Sequence, residues 1–313
     1  MKILVLGNVR PEGLELLEEF ADVKVLPEPV AQEDILACIS DVDGVLHKFG
    51  GIDAEVIARQ SKLRIIARHG VGLDLLDMDS IRAAGIPVST TQDTNSNAVA
   101  EAAVGLALSL LRHIQRGNEM ITRDRSWARE TLMGRELRHS SVGIVGYGRI
   151  GRLVAKYFAA FGSKILVNDS DPAAVADSPY STVPLDELLS SADVISLHCP
   201  LIPSTRNLID AKRLAQLQEH AVLINTARGG LIDQNALADA LHSGAIGGAA
   251  LDVFDVEPPD FDDPLFSCPN LITTPHVAAM TIEAQIAMAI QTATELRRVL
   301  VDGEAPSNNV AVE

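Results

Sequence analysis

Positive charge is scarce in this chain. Its 313 residues hold 26 Lys and Arg against 42 Asp and Glu, a formal charge of −16 at pH 7. So acidic a surface repels phosphate backbones and anionic lipid, which argues against nucleic acid and membranes as partners. It leaves room for a small anionic ligand, because a few local cations govern a single pocket. Cysteine is scarce too. Cys38, Cys199 and Cys268 lie far apart, with no C-x-x-C and no metal-ligand spacing. They read as reduced thiols of a cytoplasmic protein without a metal site. A long apolar run is also missing. The longest, residues 98–111, is interrupted by Glu101 and has the length of a buried helix, and the apolar start 1–7 is too short for a secretion signal. Gly (22) and Pro (15) are not enriched, and 47% of residues are hydrophobic, which excludes collagen-like and disordered chains.

What is present is alternation. The length exceeds one ordinary domain, so two are expected. Apolar runs at 2–6, 23–26, 44–47, 64–67 and 87–89 read as strands, separated by helix-period patterns at 11–20, 32–39 and 75–84. The alternation resumes with strands at 142–145, 164–167, 194–197, 222–224, 249–253 and 271–273. Continuous apolar strands between helices predict α/β architecture, two doubly wound parallel sheets with helices on both faces. Residues 97–123 read as one long helix, 281–301 as a last helix, and the tail 302–313 as polar and exposed.

The strongest local signal is Gly146-Tyr-Gly148-Arg149-Ile150-Gly151, which follows a strand and opens a helix. This G-x-G-x-x-G spacing supplies a tight turn, close approach of a pyrophosphate, and close packing of helix on strand. The helix N-terminus offers free N–H groups to the phosphates. The next strand ends at Asp169, where a carboxylate accepts ribose hydroxyl protons and repels a 2′-phosphate, favouring NAD over NADP. A glycine turn without a ligand is the plain alternative. Arg228, in Thr226-Ala227-Arg228-Gly-Gly at a strand end, grips a carboxylate in bidentate fashion, or else caps a helix or pairs with a surface acid. Asp252 and Glu257 follow another strand, and His276 sits behind Pro275 in a loop. A Glu beside a His orients the ring and keeps it a proton donor near neutral pH. Taken singly, each is as readily a solvated surface group; together with the glycine loop they read as a site.

The chain resembles the D-isomer-specific 2-hydroxyacid dehydrogenase family, in its phosphoglycerate dehydrogenase-like branch. The motifs that carry the likeness are His69-Gly-Val-Gly-Leu-Asp74, Asn95-Ser-Asn-Ala-Val-Ala-Glu101, the glycine loop, His198-Cys-Pro-Leu-Ile-Pro-Ser-Thr205, Asn225-Thr-Ala-Arg-Gly-Gly230, Asp252-Val-Phe-Asp-Val-Glu-Pro258 and Thr274-Pro-His276. The resemblance implies a Rossmann-type NAD domain, 98–283, inserted into a flavodoxin-like substrate domain made of 1–97 and 284–313. It implies an active site in the cleft between them and a homodimer formed through 97–137. It assigns catalysis to Arg228, Glu257 and His276, and the cofactor to Gly146, Gly148, Arg149, Ile150, Gly151, Asp169, Pro200, Thr205, Thr226, Ala227, Arg228, Asp252, His276 and Ala278. Substrate contacts fall on Gly70, Val71, Gly72, Asn95 and Arg228. Lys48 is expected either to bind a second anionic group of the substrate or to be a solvated surface lysine.

The implied reaction is reversible hydride transfer between NAD(H) and a small 2-hydroxy or 2-keto acid. The candidate acids are 3-phosphoglycerate, glycerate or hydroxypyruvate, glyoxylate and lactate-type acids. A non-catalytic NAD-sensing scaffold, like the family's corepressor members, is the alternative of a different class. Two departures stand out. Ala278 and Ala279 replace a glycine pair common after the catalytic His, and the sequence after Val301 is too short for the regulatory domain of long phosphoglycerate dehydrogenases, so serine feedback is not expected.

Overall fold

The computed structural model describes residues 1–311 and divides into two compact units, Met1–Asn95 with Met280 onward, and Ser96–Ala279. The first unit holds five strands, β1 (Lys2–Leu6), β2 (Asp22–Leu26), β3 (Gly44–His47), β4 (Ile65–Arg68) and β5 (Val88–Thr90). They pair in parallel in the order β2-β1-β3-β4-β5, the flavodoxin-like order. Ile3, Leu4, Val5 and Leu6 are all fully buried, because helices cover both faces of this sheet. The last helix, Ile282–Leu300, packs on Pro11–Glu18, and only glycine fits at the crossing: a Cβ on Gly13 would lie 2.8 Å from the Ala289 carbonyl oxygen. Arg64 donates to the carbonyls of Val299 and Leu300 (2.8 and 3.2 Å), which closes that helix's C-terminus onto the sheet.

The second unit holds β6 (Ser141–Val145), β7 (Lys164–Asn168), β8 (Ser181–Thr182), β9 (Val194–Leu197), β10 (Val222–Asn225), β11 (Gly248–Leu251) and β12 (Leu271–Thr273). Their order, β12-β11-β10-β9-β6-β7-β8, is the Rossmann order extended by one strand, all parallel. The helix Arg149–Ala160 buries Val154, Ala155 and Phe158 against this sheet. No helix among the described residues is long and apolar enough to cross a membrane.

Two expectations need correction. The span 97–123 is two helices, Ser96–Leu111 and Ile114–Thr122, broken at His113, whose φ of 51° lies in the left-handed region. The apolar pattern runs through the break, so periodicity alone could not show it. The tail is not simply exposed. Val310 N–H donates to the Val88 carbonyl (2.9 Å), Asn309 Oδ1 accepts from Val88 N–H, and Asn308 Oδ1 accepts from Thr90 N–H. These residues cover the open edge of β5, where unpaired backbone groups would otherwise face solvent.

Candidate active site

In the second unit, strand order reverses between β6 and β9, and the glycine loop follows β6 at that point. The three glycines differ in what they require. Gly146 has φ +92°, and a Cβ there would lie 2.6 Å from the Cys199 nitrogen in the loop after β9. A Cβ on Gly151 would overlap the Gly146 carbonyl oxygen. Gly148 meets nothing within 4 Å, and its φ of −76° suits any residue. The protein itself therefore does not demand glycine at 148. The open space in front of it is the room a pyrophosphate needs at the start of the Arg149 helix.

Asp169 braces this loop. Its Oδ2 accepts from Tyr147 N–H (2.7 Å) and its Oδ1 from Asp171 N–H (2.9 Å), which leaves further lone pairs for ribose hydroxyls. Ile150, half-buried, packs against the sheet's core, while Arg149 stands exposed at the helix start. The Thr205 hydroxyl donates to the Pro200 carbonyl (2.6 Å) and accepts from Ile202 N–H (2.8 Å), so it shapes its own loop. Thr226, in contrast, keeps a buried hydroxyl without a partner. A buried orphan polar atom beside the nicotinamide end of the expected site suits a donor or acceptor on a ligand. The open space at Gly148, the Asp169 carboxylate and the Thr226 hydroxyl together fit a dinucleotide.

The side chains expected to be catalytic lie at or just after the carboxyl ends of β10, β11 and β12. His276 Nδ1–H donates to Glu257 Oε2 at 2.7 Å, and the other Glu257 oxygen accepts from Phe254 N–H (3.0 Å). Burial raises the Glu257 pKa. The bonds from His276 and Phe254, and the charges of His276 and Arg228, outweigh that and hold it below the usual value. His276 has φ 54°, a strained backbone state for a non-glycine residue. Asp252, buried, secures it: its carbonyl accepts from His276 N–H (2.8 Å), and its carboxylate accepts from the Thr274 hydroxyl (2.6 Å), Val277 N–H (2.8 Å) and Ala278 N–H (2.9 Å). The carboxylate expected to hold a carboxamide thus first holds the histidine loop.

Asn225 does the same for the arginine. Fully buried, it accepts from Ala227 N–H (3.0 Å) and donates to the Arg228 carbonyl (2.8 Å), while its own carbonyl accepts from Asp252 N–H (2.9 Å). The Arg228 guanidinium donates to the Ala227 carbonyl (2.6 Å). Gly229 lets the two loops meet, since a Cβ there would overlap the Phe254 carbonyl carbon. Asn225 and Thr274 stand in motifs of the sequence, but their roles escape a sequence reading because a short polar side chain after a strand does not reveal its partners. Their one signal is placement, each immediately at or after a strand end.

In the first unit, Gly70, Val71 and Gly72 follow β4. Gly70 has φ +133°, but its N–H already donates to Thr91 Oγ (2.8 Å). That narrows the expected cradle to Val71 and Gly72, whose N–H groups make no hydrogen bond among the described residues. The Arg68 guanidinium fixes this loop, donating to the carbonyls of Gly72 (2.8 Å) and Lys48 (2.6 Å). Asn95 keeps a buried Oδ1 without a partner, as do His47 at Nδ1 and His69 at Nε2. Burial, with the neighbouring cations, pushes the His47 pKa down to about 3 and that of His69 to about 4. Lys48 is not a solvated lysine. Its ammonium bonds the Asn8 carbonyl (2.7 Å) and Glu28 Oε1 (3.3 Å).

Two doubly wound sheets, a glycine loop at a strand-order reversal and a histidine–carboxylate pair at neighbouring strand ends define a dinucleotide-binding α/β protein. Residues 104–278 match the profile of the D-isomer specific 2-hydroxyacid dehydrogenase NAD binding domain. The chain is 37% identical over 307 residues to D-3-phosphoglycerate dehydrogenase of Mycobacterium tuberculosis, covering 97% of this chain and 58% of that one. It is 38% identical over 284 residues to hydroxypyruvate reductase of Thermotoga maritima, covering 90% and 92%. The crystal structure of a Thermus thermophilus protein superposes with a TM-score of 0.92 at 35% identity, over 99% of this chain and 100% of that one. The chain belongs to the D-isomer-specific 2-hydroxyacid dehydrogenase family, and 104–278 is its NAD binding domain. It spans little more than half the length of the mycobacterial phosphoglycerate dehydrogenase it matches.

Proposed function

We propose that the protein is an NAD-dependent 2-hydroxyacid dehydrogenase that interconverts a small 2-hydroxy acid and its 2-keto partner. The observation that carries this reading is the 2.7 Å bond from His276 Nδ1 to Glu257, on a loop that Asp252 holds in place. A carboxylate accepts only, so Nδ1 carries the hydrogen and Nε2 is the nitrogen left to exchange a proton with substrate. The Gly148 opening, Asp169 and Thr226 would hold NADH, which would supply the hydride for the keto carbon. In that direction His276, as imidazolium, gives its Nε2 proton to the carbonyl oxygen, and in oxidation it takes the proton back. The Glu257 charge complements the imidazolium. Arg228 polarises the carbonyl, and the first unit by itself offers the Val71 and Gly72 N–H groups and Asn95 to a carboxylate.

The assembly that fits is a homodimer. Ile114, Trp127 and Met133 are 58%, 77% and 85% exposed in the segment 97–137, and a second copy would cover them. Three cysteines without a disulfide suit a reducing compartment such as the cytoplasm. The test is loss of NADH absorbance against hydroxypyruvate, glyoxylate, pyruvate, oxaloacetate and 3-phosphohydroxypyruvate, with NADPH in parallel. Turnover with NADH that His276→Ala abolishes is the expected result. Tight NADH binding without turnover of any 2-keto acid would refute the reading.

A further inference from the structure

Strand order in the first unit also reverses, between β1 and β3. Open α/β sheets bind ligands outside the carboxyl ends of their strands at such a point. The residues that follow β1 and β3 there are Gly7 and Asn8, and Lys48. Lys48 fills the position: its side chain is 12% exposed, its ammonium donates to the Asn8 carbonyl at 2.7 Å, and it lies 5.3 Å from the Phe49 ring centroid. Its counter-ion is Glu28, from the loop after β2, at 3.3 Å. Glu28 is itself pinned, because the same oxygen accepts from Asn8 N–H at 2.9 Å. Gly7, with φ +105°, permits this approach: a Cβ there would lie 3.2 Å from Lys48 Cβ and 3.3 Å from Glu28 Oε1.

This ion pair stands beside the carboxylate cradle. One guanidinium, that of Arg68, bonds the Lys48 carbonyl and the Gly72 carbonyl together. A short substrate whose carboxylate sits on Val71 and Gly72 can direct its far end toward the Lys48–Glu28 pair. Arg68 directs Nε and Nη1 to main-chain carbonyls, and burial keeps His47 and His69 uncharged. Lys48 is the ammonium at this place, and Glu28 neutralises it, while the Arg68 guanidinium is committed to the loop carbonyls.

We infer that Glu28 is a specificity-determining residue that reserves the far end of the substrate for an uncharged group. The inference rests on the dehydrogenase reading and narrows it. A phosphate or second carboxylate arriving at Lys48 meets a pair of zero net charge and a carboxylate within contact distance, in a partly desolvated place where like charges repel strongly. A terminal hydroxyl meets the opposite situation. It donates to the Glu28 carboxylate and accepts from the ammonium's third N–H, so both groups are satisfied without displacing either. The substrate class is accordingly a monoanionic 2-keto or 2-hydroxy acid with a short, hydroxylated or unsubstituted tail.

The test compares kcat/KM for hydroxypyruvate and 3-phosphohydroxypyruvate in the wild type, in Glu28→Gln, and in Glu28→Gln combined with Lys48→Met. The wild type is expected to favour hydroxypyruvate. Glu28→Gln, which keeps the shape and removes the charge, shifts the ratio toward the phosphorylated acid by about tenfold or more, the scale of one charge-assisted hydrogen bond. The double variant loses that shift, because no cation remains to bind phosphate. Glu28→Ala repeats the measurement should the glutamine variant fold poorly. Turnover with a wild-type preference for the phosphorylated acid, or a ratio unmoved by either Glu28 variant, overturns the role of Glu28 and leaves the dehydrogenase reading standing. NADH binding with no turnover of either acid overturns the role of Glu28 while glyoxylate or pyruvate is still reduced, and removes both readings when no 2-keto acid is turned over.

Discussion

The carboxyl edges of the two sheets are finished in different ways. After β10, β11 and β12, nearly every polar side chain is bonded within the protein: Asn225 closes the arginine loop, Asp252 closes the histidine loop, and Glu257 holds the ring. After β3, β4 and β5, buried polar atoms are left over at His47, His69 and Asn95. The physical demands differ. A group that moves a proton must be aimed before substrate arrives, and misaiming costs rate. A surface that receives a polar ligand gains most if its own atoms are unsatisfied beforehand, although each such atom costs about 1–3 kcal/mol in the free protein. Thr226 is the exception on the finished edge, with its orphan hydroxyl facing no protein partner.

The largest expected effect falls on the finished edge. His276→Ala removes the proposed proton donor and should lower kcat by about 10²–10⁴, read in steady-state kinetics with NADH affinity measured alongside. Gly229→Ala forces a methyl into the Phe254 carbonyl carbon, so the two loops must part. It should cost about 3 kcal/mol of stability, visible as a lowered Tm, and reduce kcat with it. A paired experiment then sets the two edges against each other. Asn225→Ala leaves the Ala227 N–H unpaired and the Arg228 carbonyl with only its 3.3 Å bond from Leu231 N–H, so it should destabilise by about 1–3 kcal/mol and depress kcat/KM. Asn95→Ala removes an atom that has no partner, so it should raise KM while leaving Tm nearly where it was. Equal losses of stability in the two variants would erase the distinction.

Acid provides a gentler probe. His47 and His69 in the first unit titrate at about 3 and about 4, and His198 in the second at about 3, all pushed down chiefly by burial from an ordinary 6.5. The unfolded chain therefore takes up protons that the native state refuses. Stability is full above pH 6.5 and falls as pH drops from there toward 4, by about 1.4 kcal/mol per pH unit for each such proton. With two of these histidines against one, the first unit should lose stability the more steeply, as hydrogen exchange compared between neutral and mildly acidic buffer would show. The smallest effect belongs to Glu257. Its lowered pKa means its charge, and the stability that charge contributes, persist above the ordinary carboxylate value and fade only as pH falls below it. Glu257→Gln should remove that acid dependence from the pH profile of stability.

Much of this was legible beforehand. Strands buried on both faces read as continuous apolar runs, and in a dinucleotide fold the glycine spacing marks the turn where backbone, helix and pyrophosphate come close. The roles of single residues were less so. Helix period passes straight through His113, where a left-handed residue turns the chain. The polar tail looked like solvent-exposed chain, yet its asparagines bond main-chain groups of β5, 218 and 221 positions away. Lys48 looked like a cation waiting for substrate or water and turned out to have Glu28 and Asn8.

The sequence by itself determined the class of fold, the dinucleotide loop and which side chains could do the chemistry, because periodicity and short motifs are local properties of the chain. Only the tertiary structure decided which polar groups are already bonded. That depends on strand order and loop closure, which bring Asp252 to the residues of 274–278, and Glu28 to Lys48, across separations of about twenty residues that no local pattern encodes.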